Sequence, residues 1–408
     1  MAELQARPTS GRASGCFAVY CFDKGACLPT NPQAARMVAS PMKQTPLHEW
    51  HVAHGATMTD FNGWSMPLYY SGMTDEHLHT RRAAGLFDLC HMGRVMLRGA
   101  GAHRFVDELT PARLREAKQG DVLYSFLLTE QGRTIDDITV YLLPDRLMLV
   151  VNAGNRERAV AWIRAHAEGM GDVSVEDLSE EWAMLALQGP DSDAVMREAF
   201  GAGFNPLPYY TVAELRMESA GGTVLVSATG YTGERGYEVY LPSSRAVAAW
   251  EAVMAAGARH GVKPVGLGAR DSLRLEAAMS LYGHELTDET TPLDAGLGKF
   301  LDLDKPAFVG RDALLTQKAA GGPPRKLACM EMRQRGPVPR QGCTLHLPGG
   351  DAVGTVTSGI LAPSLQKNIA MGYVDAAFAI PGTDAEFEIR GRRHPAVLVK
   401  RPFYRRSA

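Results

Sequence analysis

The rhythm of the chain changes at residues 319–324, AAGGPP, and that break does most to limit the fold. Two glycines followed by two prolines continue neither a helix nor a sheet ladder. Glycine gives up backbone order, and proline lacks the N–H that either ladder needs. Before the break, runs of helical spacing alternate with short β-rich runs. After it, residues 326–332, 342–347, 352–358, 369–374, 385–389 and 394–400 are short β-rich runs with turn residues between them. Roughly 80 residues of that kind predict an all-β module, most simply a small barrel.

Ahead of the break the elements come twice. Residues 75–85 read as a charged helix with Gly85 near its C-cap, 87–97 as a strand and 104–109 as the start of a helix. Residues 122–128 and 138–143 read as two strands of a hairpin with Gln131-Gly132 in the turn, followed by a strand at 147–151 and a helix at 156–168. After residue 180 come a strand at 183–187, a helix at 192–200, strands at 224–228 and 237–241, and a helix at 246–257. The expected fold class is α+β: two related antiparallel-sheet lobes covered by helices, plus a C-terminal barrel. A chain of 408 residues exceeds the size of one core, which fits this division. The expected domains are an extension at 1–43, a two-lobed domain at 44–318 with an internal break near 180, and the barrel at 325–406.

Charge and cysteine content narrow the classes. With 43 basic and 45 acidic residues, the formal net charge of −2 supplies no general field for nucleic acid or an anionic membrane. No stretch approaches the roughly 18 apolar residues that span a bilayer. The expectation is therefore no nucleic-acid partner and no membrane. Six cysteines are present (16, 21, 27, 90, 329 and 343), none of them in a C-x-x-C pair, so neither a zinc site nor a thioredoxin-type motif is indicated. Such usage fits a reducing compartment: the cytoplasm, or the mitochondrial matrix if the source is eukaryotic. Residues 1–43 lack periodicity and a secretory apolar core, and read as a disordered tail or a start assigned upstream of Met37 or Met42. The histidines at 48, 51 and 54 and at 77 and 79 lack clustered carboxylate or thiol partners, so no metal is expected.

The polar pair Asp136-Asp137 stands inside QGRTIDDITVY, residues 131–141, where a turn leads into a β-rich run. Adjacent strand residues point to opposite faces, so the two carboxylates share one site only if the backbone is distorted there. One is expected to meet solvent or cap a turn, and the other to point inward. Locally, nothing separates a catalytic carboxylate from the polar mouth of a hairpin.

From Thr45 onward the chain resembles the glycine cleavage T protein over nearly its full length. The blocks that carry the resemblance are TPLHEWHVAHGATMTDFNGWSMPLYY (45–70), DEHLHTRRAAGLFDLCHMG (75–93), IDD (135–137), VVNAGN (150–155), LQGP (187–190), TGYTGERGYE (229–238), GLGARDSLRLEA (266–277), LYGHEL (281–286), TSGILAPSLQKNIAMGYV (357–374) and KRPFY (400–404). The resemblance implies a three-domain cloverleaf around a folate pocket. It implies an aminomethyltransferase that takes the carbon from the lipoylated H protein to tetrahydrofolate, giving 5,10-methylenetetrahydrofolate, ammonia and dihydrolipoyl-H.

Residue by residue, the resemblance makes Asp137 the functional carboxylate, Glu238 the grip on the pterin ring, Tyr231 an aromatic contact and Arg270 a ligand-binding cation. Tyr124, Tyr141 and Asn152 line the pocket, and Met92 and Tyr404, the latter in the basic C-terminal end, are also expected to bind the folate. His91 is expected to position rather than exchange protons. Gly230, Gly233 and Gly236 are expected to let the backbone turn closely around the ligand. Two departures, QGRT before the aspartates and Lys299, border this site and keep a second donor in view, a tetrahydrofolate-dependent demethylase of methylated amine, sulfur or oxygen compounds. A non-catalytic folate-binding protein is the reading from another class, and its K-G-C-Y-x-G-Q-E motif is absent.

Overall fold

The computed structural model describes residues 42–201 and 203–406. The expected extension, and with it Cys16, Cys21 and Cys27, lies outside the described residues apart from its last two positions. Lys43 already belongs to the fold: strand Lys43–Gln44 runs parallel to Trp64–Tyr69, which pairs in turn with Thr57–Phe61.

The two lobes repeat one plan. The first runs through strand Gly93–Arg98, helix Ala102–Leu109, strands Val122–Leu128, Thr134–Leu142 and Arg146–Val151, helix Arg156–Ala167 and strand Ser174–Asp177. The second runs through strand Trp182–Gln188, helix Ser192–Phe200, strands Val212–Met217, Gly222–Ser227 and Gly236–Pro242, helix Ala246–Ala256 and strand Lys263–Val265. In both sheets the second, third and fourth strands lie in order beside the first, with the fifth beyond it. The repeat is legible in this shared order rather than in sequence. One difference interlocks the halves. Strand Gly85–Asp88, from before the first lobe, is inserted in the second sheet between Trp182–Gln188 and Lys263–Val265.

Period-two alternation sorts each strand into two cores. On the first sheet Ile138, Val140 and Leu149 pack under Phe105, Val106 and Ile163 of its helices. On the second, Tyr237, Val239 and Leu241 pack under Val195, Met196 and Trp250. The opposite faces meet each other: Tyr141, Met148 and Val150 of one sheet bury against Met184, Leu225 and Tyr240 of the other. Glu238 alternates with Tyr237 and Val239, and Asp137 with Ile138. Both carboxylates therefore belong to the faces that the two sheets turn toward one another.

The expected single strand at 87–97 is two strands in different sheets. Asp88 turns the chain: its carboxylate accepts from Thr45 Oγ1 (2.6 Å) and Cys90 N (2.8 Å) and bonds His51 Nε2 (3.0 Å). Burial raises its affinity for a proton, but these bonds and the charge of His51 outweigh that and bring its pKa down to about 2. Gly85 does not cap the preceding helix, which is Met73–Arg82 with Ala83 at its end. It opens the inserted strand, where a Cβ would stand 2.6 Å from both Thr80 Oγ1 and Val265 Cγ2.

Beyond the linker, strands Arg325–Met332, Thr344–His346, Ala352–Ala362, Lys367–Asp375, Asp384–Ile389 and Arg392–Val399 close into a six-stranded barrel. Helix Leu267–Glu276 joins it to the lobes. Its fully buried Arg274 donates to Glu285 Oε2 (2.7 Å) and Ser358 Oγ (2.9 Å), and Tyr373 of the barrel donates to the Glu285 carbonyl (2.7 Å). Among the described residues no helix is long and apolar enough to cross a membrane.

Candidate active site between the two sheets

A bulge places the aspartates. In the pairing of Val122–Leu128 with Thr134–Leu142, Leu127 faces Asp136 and Leu128 faces Thr134, so Ile135 is extra. A bulge re-aims the side chains beside it. From Asp136 on, alternation is regular, and the two carboxylates part. Asp136 points to the helix side and is fully buried rather than solvent-facing. It accepts from Asn152 N (2.9 Å), Asn152 Nδ2 (2.9 Å) and Asn155 Nδ2 (3.4 Å), all at the start of helix Arg156–Ala167, where backbone dipoles favour an anion. Asp137 is partly exposed on the inter-sheet side and accepts from Tyr124 Oη (2.8 Å) and Asn152 Nδ2 (2.8 Å). Burial raises the pKa of both, and the charge of Asp137 raises that of Asp136 further.

Glu238 lies across the gap, on the second sheet. Its Oε2 accepts from three hydroxyls: Thr229 (2.5 Å), Tyr240 (2.9 Å) and Tyr141 (3.3 Å), the last reaching over from the first sheet. The two tyrosine hydroxyls are themselves 2.6 Å apart. A buried hydroxyl left unpaired costs about 1–3 kcal/mol, so this set locks the Glu238 carboxylate in one orientation. Its Oε1 takes no hydrogen bond among the described residues, which leaves one charged acceptor aimed at whatever enters.

Arg270, on helix Leu267–Glu276, supplies the third element. Its guanidinium lies 4.8 Å from the Tyr231 ring centroid and 3.8 Å from Met92 Sδ. It forms no ion pair among the described residues, and burial lowers its pKa. A cation held on an aromatic face and a thioether is free to receive an anionic or carbonyl group. The three elements sense one another: Asp137 and Arg270 both act on the Tyr231 hydroxyl, and Glu238 acts on Arg270.

Met92 is fixed by Arg94. That fully buried guanidinium donates to the carbonyls of Cys90, Met92, Ser179 and Trp182, and so sets the turn that crosses from one sheet to the other. His91, on the same turn, is buried edge-on to Phe61, and burial pushes its pKa down to about 3, so it is a neutral imidazole.

The structure thus brings Asp137, Glu238, Arg270, Tyr231, Tyr124, Tyr141, Asn152 and Met92 around one space. Tyr404 stands apart. Its ring lies on the guanidinium of Arg81, 3.8 Å from its carbon, and no hydrogen bond or ring contact joins it to the others among the described residues. Two surface clefts share none of these residues. One, of about 380 Å3, lies on the barrel by Cys329 and Arg401, and the other, of about 290 Å3, lies by Arg156 and Arg164. Among the described residues no group of His, Cys, Asp or Glu is arranged to hold a metal.

The glycines of 229–238 have a different cause from the one expected. A Cβ at Gly230 would lie 1.9 Å from Gln188 Oε1, and one at Gly236 would lie 2.3 Å from Gln188 Nε2. The Gln188 amide fills both places, bonding Thr229 O (3.1 Å) and Thr232 Oγ1 (2.9 Å), and props the loop from beneath. Only Gly233, at φ +80°, is required by its backbone conformation. Gly230→Ala is expected to expel that amide and cost its two bonds, about 1–3 kcal/mol by thermal unfolding, with the loss concentrated in the loop. An unchanged midpoint together with unchanged proteolysis of residues 229–236 would refute this account of the loop.

Thr229, Tyr240, Asn155 and Gln188 were not singled out in the sequence. Tyr240 was accessible, since it stands two residues after Glu238 and so shares its face. The other three declare themselves only through contacts distant in sequence.

Residues 47–305 match the family model described as the GCVT N-terminal domain, and residues 325–405 match the glycine cleavage T-protein C-terminal barrel domain. An aminomethyltransferase of Desulforamulus reducens is 43% identical over 367 residues, spanning 90% of this chain and 99% of that one. One of Geobacillus thermodenitrificans is 42% identical over 368 residues, again spanning 90% and 99%. Among solved structures, the glycine cleavage system aminomethyltransferase T from Bartonella henselae superposes with a TM-score of 0.83 at 37% identity, covering 90% of this chain and 99% of that one.

Proposed function

The chain belongs to the glycine cleavage T-protein family and is an aminomethyltransferase of the glycine cleavage system, and from that premise we propose how its site works. The co-substrate is tetrahydrofolate. The donor is the aminomethyl group on the lipoyl arm of the H protein: its carbon–sulfur and carbon–nitrogen bonds break as the carbon bonds two folate nitrogens, and the products are 5,10-methylenetetrahydrofolate, ammonia and the dihydrolipoyl H protein. One observation carries this reading: two carboxylates on opposite sheets, Asp137 and Glu238, both belong to the inter-sheet faces, each with hydroxyl donors behind it.

In this reading Glu238 accepts a charge-assisted hydrogen bond from a donor of the pterin through its unbonded Oε1, while the three hydroxyls on Oε2 fix its direction. Arg270, lacking a carboxylate of its own, receives a polar or anionic part of the folate, with Tyr231 and Met92 against it. Tyr124, Tyr141 and Asn152 line the walls. Asp137 then stands by the folate nitrogens. It orients the attacking amine and stabilises the positive carbon that develops as the carbon–sulfur bond breaks. Asp136 and Asn152 hold Asp137 in place.

The test is reconstitution of the purified protein with lipoylated H protein, glycine decarboxylase, glycine and tetrahydrofolate. The expected result is methylenetetrahydrofolate and ammonia in equal amounts. Absence of both, with turnover of a methylated amine instead, would replace the donor while keeping the folate.

A further inference from the structure

We propose that Arg81 and Tyr404 form a latch that positions the ligand loop: they set the reach of Tyr231 and Arg270 without touching the folate themselves. This rests on the folate reading above. Arg81 ends helix Met73–Arg82, with a side chain only 5% exposed. Its Nη1 donates to Thr232 O (2.6 Å) and Glu234 Oε1 (2.9 Å), one on each side of Gly233 in the loop that carries Tyr231. Its Nη2 donates to Leu273 O (3.3 Å) and Glu276 Oε2 (3.1 Å), on the helix that carries Arg270. One planar fork therefore joins the two segments whose side chains meet as the Tyr231–Arg270 stack. Only a guanidinium can serve four acceptors in this way.

Tyr404 closes the fork from outside. Its ring covers the guanidinium at 3.8 Å, and its amide donates to the Glu276 carbonyl (2.8 Å). Glu276 is held from its other side by His77 Nε2 (3.1 Å) and by Ser364 N of the barrel (2.8 Å). The latch thus gathers helix, loop, barrel and C-terminal segment at one cation. With its face covered, the guanidinium sees less water, which strengthens each of its bonds to the loop. The aromatic ring at this C-terminal position has a use in this arrangement.

The experiment measures tetrahydrofolate Kd, kcat at saturating folate, and amide hydrogen exchange of residues 229–236 in the folate-free protein. It uses full-length Arg81→Lys, Tyr404→Leu, Tyr404→Phe and the double variant Arg81→Lys/Tyr404→Leu. Lysine keeps the charge and so protects Glu234 and Glu276 from being left unpaired. Tyr404 is only half-buried, so its variants test the idea without endangering the fold. Arg81→Lys and Tyr404→Leu are each expected to raise Kd about tenfold, to speed exchange in 229–236 and to leave kcat within about twofold. Phe at 404 keeps the stack and is expected to stay close to the parent. Because both residues act through one contact, the double variant should lose no more than the worse single one. Unchanged exchange in Tyr404→Leu would overturn the latch. So would a double variant whose loss is the full product of the singles, since Tyr404 would then act on the ligand directly. If the parent protein does not bind tetrahydrofolate, the folate reading fails, and the exchange data still decide the latch.

Discussion

Asp137→Asn is expected to lower kcat by roughly 10²–10⁴-fold while tetrahydrofolate Kd moves by less than about threefold, the range that a positioned acid–base or electrostatic group contributes. The substitution keeps shape and removes charge. Tyr124 and Asn152 both donate to Asp137, so an amide in its place offers one acceptor where two donors converge. The Tyr124 hydroxyl rotates and accepts from the new amide instead, which spares the local geometry. A falling kcat with steady binding identifies an interaction made only in the transition state; a parallel rise in Kd would instead make Asp137 a ground-state contact.

The same variant carries a stability signature of known sign. Burial raises the Asp137 pKa above its unfolded value of about 3.9. A carboxyl with a raised folded pKa destabilises the fold once pH exceeds the unfolded value, and the penalty grows until pH passes the folded one. Asparagine removes that penalty. The unfolding midpoint of Asp137→Asn should therefore match or exceed that of the parent near pH 7–8, with the difference shrinking toward pH 4. A variant that is less stable at pH 7 would mean that the Asp137 charge supports the fold rather than being tolerated for chemistry.

Most strands and helices of both lobes and the barrel were legible because each is short, amphipathic and bounded by turn residues, whereas the lobe strands Ser174–Asp177, Val212–Met217 and Lys263–Val265 were not read. What the sequence could not show is where a strand goes. The apolar run from Phe87 to Leu97 reads as one element, yet the Asp88 carboxylate bonds Thr45 and His51, and these distant contacts bend it into two sheets. The aspartate pair illustrates the limit more sharply. Alternation correctly divides Asp136 from Asp137, but which face is solvent depends on the helix start at Asn152–Asn155 and on the unpaired Ile135, neither of which has a local signal. Tyr404 shows the opposite limit: the family motif makes it a ligand contact, and only the structure shows that its ring lies on Arg81 and its amide bonds the Glu276 carbonyl.

Glu238→Gln is expected to produce the mirror image of Asp137→Asn: tetrahydrofolate Kd rises by about 10²–10³-fold, and kcat at saturating folate stays within a few-fold. A hydrogen bond to a charged group contributes about 1.5–3 kcal/mol, and putting a donor in its place adds the repulsion of like groups to that loss. The amide of glutamine has one acceptor. Thr229, Tyr240 and Tyr141 all converge on Oε2, and three hydroxyls hold the carbonyl there. The NH2 is then left where the unbonded Oε1 stood, so a donor meets the donor of the pterin, and the penalty is a clash of like groups as well as the loss of one bond. Glu238→Ala should bind equally poorly and also unfold at lower temperature, because it strands the three hydroxyls that Glu238→Gln keeps paired. The pair of variants thus separates the grip on the ligand from the support of the two sheets. If Glu238→Gln instead lowers kcat at unchanged Kd, the chemistry sits on the second sheet, and the assignment of the two carboxylates must be exchanged.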